Sequence, residues 1–316
     1  MPVDTFVATL QFALQIILSW LLLVGGARRC QVELNHYAAH NRIFQNKVAN
    51  RILVEINSTL FFIQDYAGYM ADHVNGTYAH HRGNIFCGPD DPDWTFLRLL
   101  CLRQGMTRRQ CWAWLLRTCI SPRFHWIFLK ARAKANLFSP NTYRRAMSVV
   151  WLALVISLTT AYDAWIPVLL LGVFPLTFLY QISALIQFTT EHKWAAPFIE
   201  GESARERHAR LSHARYCITP MPSRASTQSG LAYALAILGW IAIVVLIDVP
   251  ARVAIIVGDL PVHDRHHRFA AEKSWAAAIY LPEDESVALP SPAYWGLIGA
   301  LNGVFDHLAA LPAEAA

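Results

Sequence analysis

Residues 148–190 run for 43 positions with a single charge, Asp163, near the middle. So long an apolar run suits lipid better than the core of a water-soluble domain, because one helical crossing needs about 20 apolar residues. Two crossings, at 148–165 and 167–190, fit it, joined by a tight turn over 161–167. Asp163 is then expected on the outer face and both ends on the cytoplasmic side. Residues 6–27 form another uncharged run, closed by Arg28 and Arg29. They predict a first span with the N-terminus outside; Asp4 in place of a basic leader argues against a cleaved signal peptide. Residues 231–258 are apolar again, but Asp248 and Pro250 interrupt them. A full crossing there would carry the last histidine group to the opposite face from the others. A re-entrant or broken helical hairpin is therefore predicted, with a fourth crossing as the alternative. The expected fold is an all-α integral membrane protein in one domain over 1–316. It has about three transmembrane helices, the re-entrant or fourth hydrophobic segment, and a cytoplasmic histidine-rich helical cap.

Charge agrees with this reading. Only 16% of the chain is charged, against about 25% in soluble domains. Residues 26–146 hold 17 of the 27 Lys and Arg, and residues 1–25 hold none. Basic loops stay on the cytoplasmic side. No soluble basic fold is visible, so nucleic acid is excluded as a partner. Residues 52–71 look helical but contain Glu55, Asn57, Gln64 and Asp65, so they are expected in the interface or packed under the spans. Residues 94–135, rich in Trp, Leu and Arg, read as interfacial helices, and 293–311 as a further helix. The six cysteines form no CxxC pair. All fall in segments placed on the reducing side, so no disulfides are expected.

The 13 histidines fall mostly in groups. His36 and His40 form HYAAH; His80 and His81 form YAHHRG, with His73 seven residues before His80. His192 lies in TTEHKW, and His263, His266 and His267 form HDRHH. Residues at i, i+3 and i+4 share a helix face, so these spacings aim several imidazoles one way. Imidazole binds Zn, Fe, Cu and Ni. A structural zinc needs four ligands, and eight or nine grouped histidines exceed that, so two metals are expected. Each group lies beside an apolar run, where a metal could meet a chain held in the bilayer. His125, His208, His213 and His307 lie outside the groups and are read as ordinary surface or core histidines.

From His36 to Phe269 the sequence resembles the membrane fatty-acid desaturase and hydroxylase superfamily. HYAAHNRIFQNKVAN is similar to its first histidine box with the downstream Asn, here Asn50. YAHHRGNIFCGPDDPD resembles the second box and its Asp-Pro-Asp, here Asp91 to Asp93. TTEHKW resembles the isolated Glu-His, and HDRHHRF the third box. The resemblance implies two non-haem irons held almost wholly by histidine, with O2 as co-substrate. It also implies oxidation of an unactivated C–H bond in a lipid or acyl substrate. Desaturation is the leading expectation and hydroxylation or a related monooxygenation the alternative. A non-enzymatic metal-binding protein is the remote reading; transport would call for polar residues within the spans.

The second box departs from the pattern, with Thr77 where a histidine is usual and His73 one turn earlier. Gly76 could bend that helix and bring His73 to the metal. The expected ligands are then His36, His40, His73, His80, His81, His192, His263, His266 and His267. Glu191, Asp264, Asp72, Asp91 and Asn50 are expected to orient them from outside. No CxxC pair and no GxGxxG after a strand is present. The electron donor is thus expected to be a separate ferredoxin, rubredoxin or cytochrome-type protein with its reductase. Arg103, Arg108, Arg109 and Arg117 would face either that donor or lipid headgroups. The metal site is expected on the cytoplasmic face.

Overall fold

The computed structural model describes residues 3–71, 85–212, 215–224, 229–262, 265, 267 and 293–313. In chain order the helices are α1 (Val3–Arg29), α2 (Asn35–Ala39), α3 (Lys47–Phe61), α4 (Tyr66–Tyr69), α5 (Pro92–Leu99), α6 (Arg108–Cys119) and α7 (Pro122–Asn136). Next come α8 (Thr142–Ala161), α9 (Trp165–Val168), α10 (Tyr180–Glu191) and α11 (Ala204–Leu211). Strand β1 (Arg215–Cys217), α12 (Gly230–Ile243), α13 (Val249–Ala254), β2 (Ala293–Trp295) and α14 (Gly296–Ala310) complete the order. Among the described residues four helical rods are long and apolar enough to cross a membrane: Val7–Ala39, Thr142–Ala161, Trp165–Glu191 and Gly230–Ala254. The chain divides into two compact units, one of Met1–Met70 and Ser121–Ala184, the other of Ala71–Ile120 and Leu185–Ala316.

In the first unit, α1 does not stop at Arg28 and Arg29. A π-helical turn over Cys30–Leu34 joins it to α2, so one rod carries His36. Arg28, expected at an aqueous edge, is buried, and its guanidinium lies 5.3 Å from the Tyr180 ring centre. Trp20 donates its indole N–H to the Leu170 carbonyl at 2.8 Å. Helix α8 starts at Thr142, six residues before the apolar run that begins at 148, under an Asn141 cap. It can include Arg144 because that side chain is buried against Glu55. The expected turn between the second and third spans is present, with Asp163 in the left-handed region at φ 48°. Two π turns, Leu169–Val173 and Pro175–Leu179, flank Phe174. Pro175 has no N–H to give its own helix, and the wider turns accommodate that loss without a break.

The second unit overturns the predicted break at Asp248 and Pro250. Gly230–Ala254 is one helix of 25 residues, about 37 Å long against a lipid core of about 30 Å. A π turn over Val244–Asp248 closes with Val249 N–H on the Val244 carbonyl, just ahead of Pro250. Asp248 is fully buried and accepts bonds from Thr219 N at 2.7 Å and the Tyr216 hydroxyl at 3.4 Å. Its carboxylate is thus held by protein, not exposed to lipid. Thr219 also accepts the Trp240 indole N–H. Thr219, which precedes the helix, therefore lies beside its Trp240–Asp248 stretch.

An all-helical chain was expected, yet β1 and β2 pair in parallel, Tyr216 opposite Tyr294. The predicted terminal helix is α14. It packs on α6 through Trp112, whose indole donates to Asn302 at 2.9 Å and whose ring meets Phe305. Arg108 pairs with Asp306, and Arg103 donates to the Arg98 and Leu102 carbonyls. Two of the four arginines in the predicted basic face are thus engaged within the protein, while Arg109 and Arg117 stay exposed.

Candidate metal centre

In the first unit, His36 is buried at the end of the long first rod and His40 comes one turn later. Their ring centres are 5.0 Å apart, edge to face. The rod is fixed there by Asn35, which accepts from Asn57 at 3.0 Å and donates to Ser58 at 3.4 Å. Asn50 closes the turn after His40. Its amide oxygen accepts from Phe44 N at 3.0 Å, and its amide nitrogen donates to the Phe44 carbonyl at 2.8 Å. Asn41 within that turn is left-handed, φ 55°, so the turn needs such a clip.

In the second unit, three imidazoles surround the Phe86 ring. His192 lies one residue past the Trp165–Glu191 rod, His208 sits on α11, and His267 comes from the last histidine group. Their ring centres are 4.9, 4.4 and 5.1 Å from that of Phe86. His192 and His267 are 5.2 Å apart, and His208 and His267 5.4 Å. All three histidines are buried. A bridge between His192 and Ser212, with Lys193 N on the Leu211 carbonyl, sets His192 against the end of α11. Beside Glu191 lies a cleft lined by Tyr216, Ile256, Leu260, Tyr294 and Ala300.

Phe86 is held by its own peptide unit. Arg207 donates to the Phe86 carbonyl at 2.8 Å, and the Cys87 N–H of the same unit donates to Asp91 at 2.7 Å. Asp91 also caps α5, accepting from Asp93 N and Trp94 N. Burial pushes its carboxyl above the usual range, opposed by those three backbone bonds and by Arg207. Arg207 donates further to the Ala196 and Pro197 carbonyls, and burial lowers its own pKa. Asp91→Ala is expected to lower stability by about 1–3 kcal/mol, from the lost cap and the unsatisfied Cys87 N–H. Asp91→Asn, which keeps one acceptor, should lose less. Thermal unfolding in detergent measures both, and an unchanged Asp91→Ala midpoint would show that the clamp contributes nothing.

The family model described as fatty acid desaturase matches residues 13–275. The chain belongs to the fatty acid desaturase family. Neither the comparison with curated proteins nor that with solved structures finds a match. Family membership and the four lipid-length helices together point to an integral membrane protein.

Desaturases of this family are generally di-iron proteins, and the described histidines can be tested against that. Two imidazoles on one metal at about 2.1 Å hold their ring centres roughly 4.5–5.5 Å apart. The 5.0, 5.2 and 5.4 Å spacings fall within that range, and an all-imidazole donor set suits iron. Among the described residues no three His, Cys, Asp or Glu side chains converge to hold one ion. The described imidazoles thus fit a metal as pairs. His73, His80, His81, His263, His266, Asp72 and Asp264 lie outside the described residues.

His208 is the functional candidate that sequence spacing set aside, and the fold buries it in the histidine group. Its only local signal is a place three residues before Leu211 on a short, highly charged helix. The other ungrouped histidines have their own surroundings. His125 stacks on Phe178 and bonds Gln181 at 2.6 Å. His307 bonds the Trp194 carbonyl at 3.0 Å, and burial lowers its pKa; His213 lies outside the described residues. Glu191, expected to orient His192, accepts a bond from Gln187 one turn earlier.

The mount of α11 includes an ion-paired carboxylate. Glu202 takes the Arg210 guanidinium at 2.6 and 2.8 Å, with Arg207 at 3.6 Å. These bonds, Arg210 first, hold its carboxyl below the usual glutamate range. A depressed folded-state pKa gives stability that is present above the unfolded value and lost as pH falls through the folded one. Unfolding midpoints scanned from neutral to acid pH should therefore fall further in the wild type than in Glu202→Gln. Parallel curves would remove Glu202 from the acid response.

Proposed function

We propose that this desaturase-family protein oxidises unactivated C–H bonds in a lipid or acyl chain, with desaturation as its reaction. The observation that carries the reading is the group of buried imidazoles at the end of a lipid-length helix, within a chain of this family. The ligands proposed are His36, His40, His73, His80, His81, His192, His263, His266 and His267. Two non-haem irons, when bound, supply the O2-dependent oxidation of the C–H bond. In desaturation, O2 takes four electrons, two with the hydrogens removed from the substrate and two from a donor, and two further protons complete two waters.

The protein's own part is placement. Arg207 and Asp91 fix the Phe86 peptide, and the Phe86 ring holds His192, His208 and His267 apart. The cleft beside Glu191, walled by Ile256, Leu260 and two tyrosines, offers a largely apolar surface one residue from His192. A separate ferredoxin, rubredoxin or cytochrome-type protein is proposed to deliver the electrons, with Arg109 and Arg117 the exposed basic residues left to meet it. The test is expression with a matched reductase and mass analysis of extracted lipids. Loss of two hydrogens from an acyl chain supports desaturation. Gain of one oxygen atom moves the reaction to hydroxylation, and no change in any lipid overturns the reading.

A further inference from the structure

We propose that His208 is a further nitrogen ligand of the metal centre, alongside His192 and His267. The proposal rests on the histidine-held metal centre proposed above. Its first support is position. The His208 ring is 2% exposed, 4.4 Å from Phe86 and 5.4 Å from His267, a spacing that two imidazoles on one metal adopt. Three separate stretches of chain, at residues 192, 208 and 267, deliver one imidazole each to the same phenyl ring. A core built only for packing fills such a place with apolar side chains; here three imidazoles surround one phenyl ring. With two ions proposed in the centre, the three imidazoles need not converge on one point.

The second support is the mount. Helix α11 is fixed at both ends. Ser203 and Glu206 form a capping box at its start, and its end bonds to residues 192 and 193. Between them Arg207, adjacent to His208, donates to three carbonyls of the surrounding loops, one of them that of Phe86. The backbone that carries His208 is therefore tied to the backbone that carries His192 and Phe86. A ligand needs that kind of fixed presentation.

The experiment uses purified full-length wild type, His208→Ala, His208→Gly and His125→Ala. Each is reconstituted anaerobically with ferrous ion and read by iron per chain, ferrous affinity and Mössbauer spectrum. The alanine variant should bind ferrous ion at least about tenfold more weakly, with an altered spectrum. Added imidazole should restore iron to the glycine variant, and His125→Ala should match the wild type. A His208→Ala protein with full iron, wild-type affinity and an unchanged spectrum overturns the proposal. Should the alanine variant fail to fold, the glycine variant produced with imidazole decides. Iron restored supports ligation, and iron not restored overturns it. A wild type that binds no iron overturns the metal reading itself, a result distinct from loss of His208 alone.

Discussion

Arg144→Ala is expected to cost about 3–5 kcal/mol of stability, because it leaves a buried carboxylate and several acceptors without their cation. Arg144 is fully buried. One arm of its guanidinium donates to the Glu55 carbonyl at 2.8 Å and the Thr59 hydroxyl at 2.7 Å, and reaches the Glu55 carboxylate at 3.4 Å. The other arm donates to the Asn136 side chain and to the Ile63 carbonyl. Asn136 in turn donates to Ile63, while Arg132 donates to the Phe61, Phe62 and Leu176 carbonyls. Two arginines thus collect the carbonyls where α3 ends, at Phe62, in the left-handed region at φ 55°. Without Arg144, the burial that already raises the Glu55 pKa acts unopposed by its nearest cation. Arg144→Lys keeps the charge but loses the fork, and should fall between wild type and alanine. Removing both charges in Arg144→Met/Glu55→Leu should recover part of the loss. Thermal unfolding in detergent reads all three, and an alanine variant as stable as wild type would show that the network holds nothing together.

His192→Ala is expected to lower bound iron and to cut turnover by more than the roughly 10–100-fold typical of losing a residue that only supports a ligand. His192 is 3% exposed, and its ring lies edge-on to both Phe86 and Trp194, 5.2 Å from His267. Its backbone is anchored by the bridge to Ser212, so truncating the ring leaves the loop in place. His125→Ala is the matched control. That residue is stacked on Phe178 and bonded to Gln181, and its loss should leave iron unchanged. Iron analysis and product formation measured on the same preparations check the pair. A His192→Ala protein with two irons per chain and near-normal turnover would remove His192 from the ligand set.

The sequence by itself determined the helices that reach lipid length. Hydropathy is a local property, and a 43-residue run with one charge leaves little choice of solvent. It also placed His36 and His40 together, since i and i+4 positions share a helix face wherever the helix lies, and their rings stand 5.0 Å apart. Three things waited for the tertiary structure. Asp248 and Pro250 read as a helix break, but a π turn absorbs the proline and Thr219 and Tyr216 hold the carboxylate. No local pattern reports that a partner 29 residues earlier will hydrogen-bond a buried carboxylate. The β1–β2 pair joins residues about 78 positions apart, a register set by chain topology rather than by three-residue strands. His208 stands alone in sequence, 16 residues from His192. In the fold it meets His267, on a helix whose Arg207 is bonded to the Phe86 carbonyl. Spacing along a chain can place ligands that share a helix; ligands on separate elements are placed by the packing between those elements.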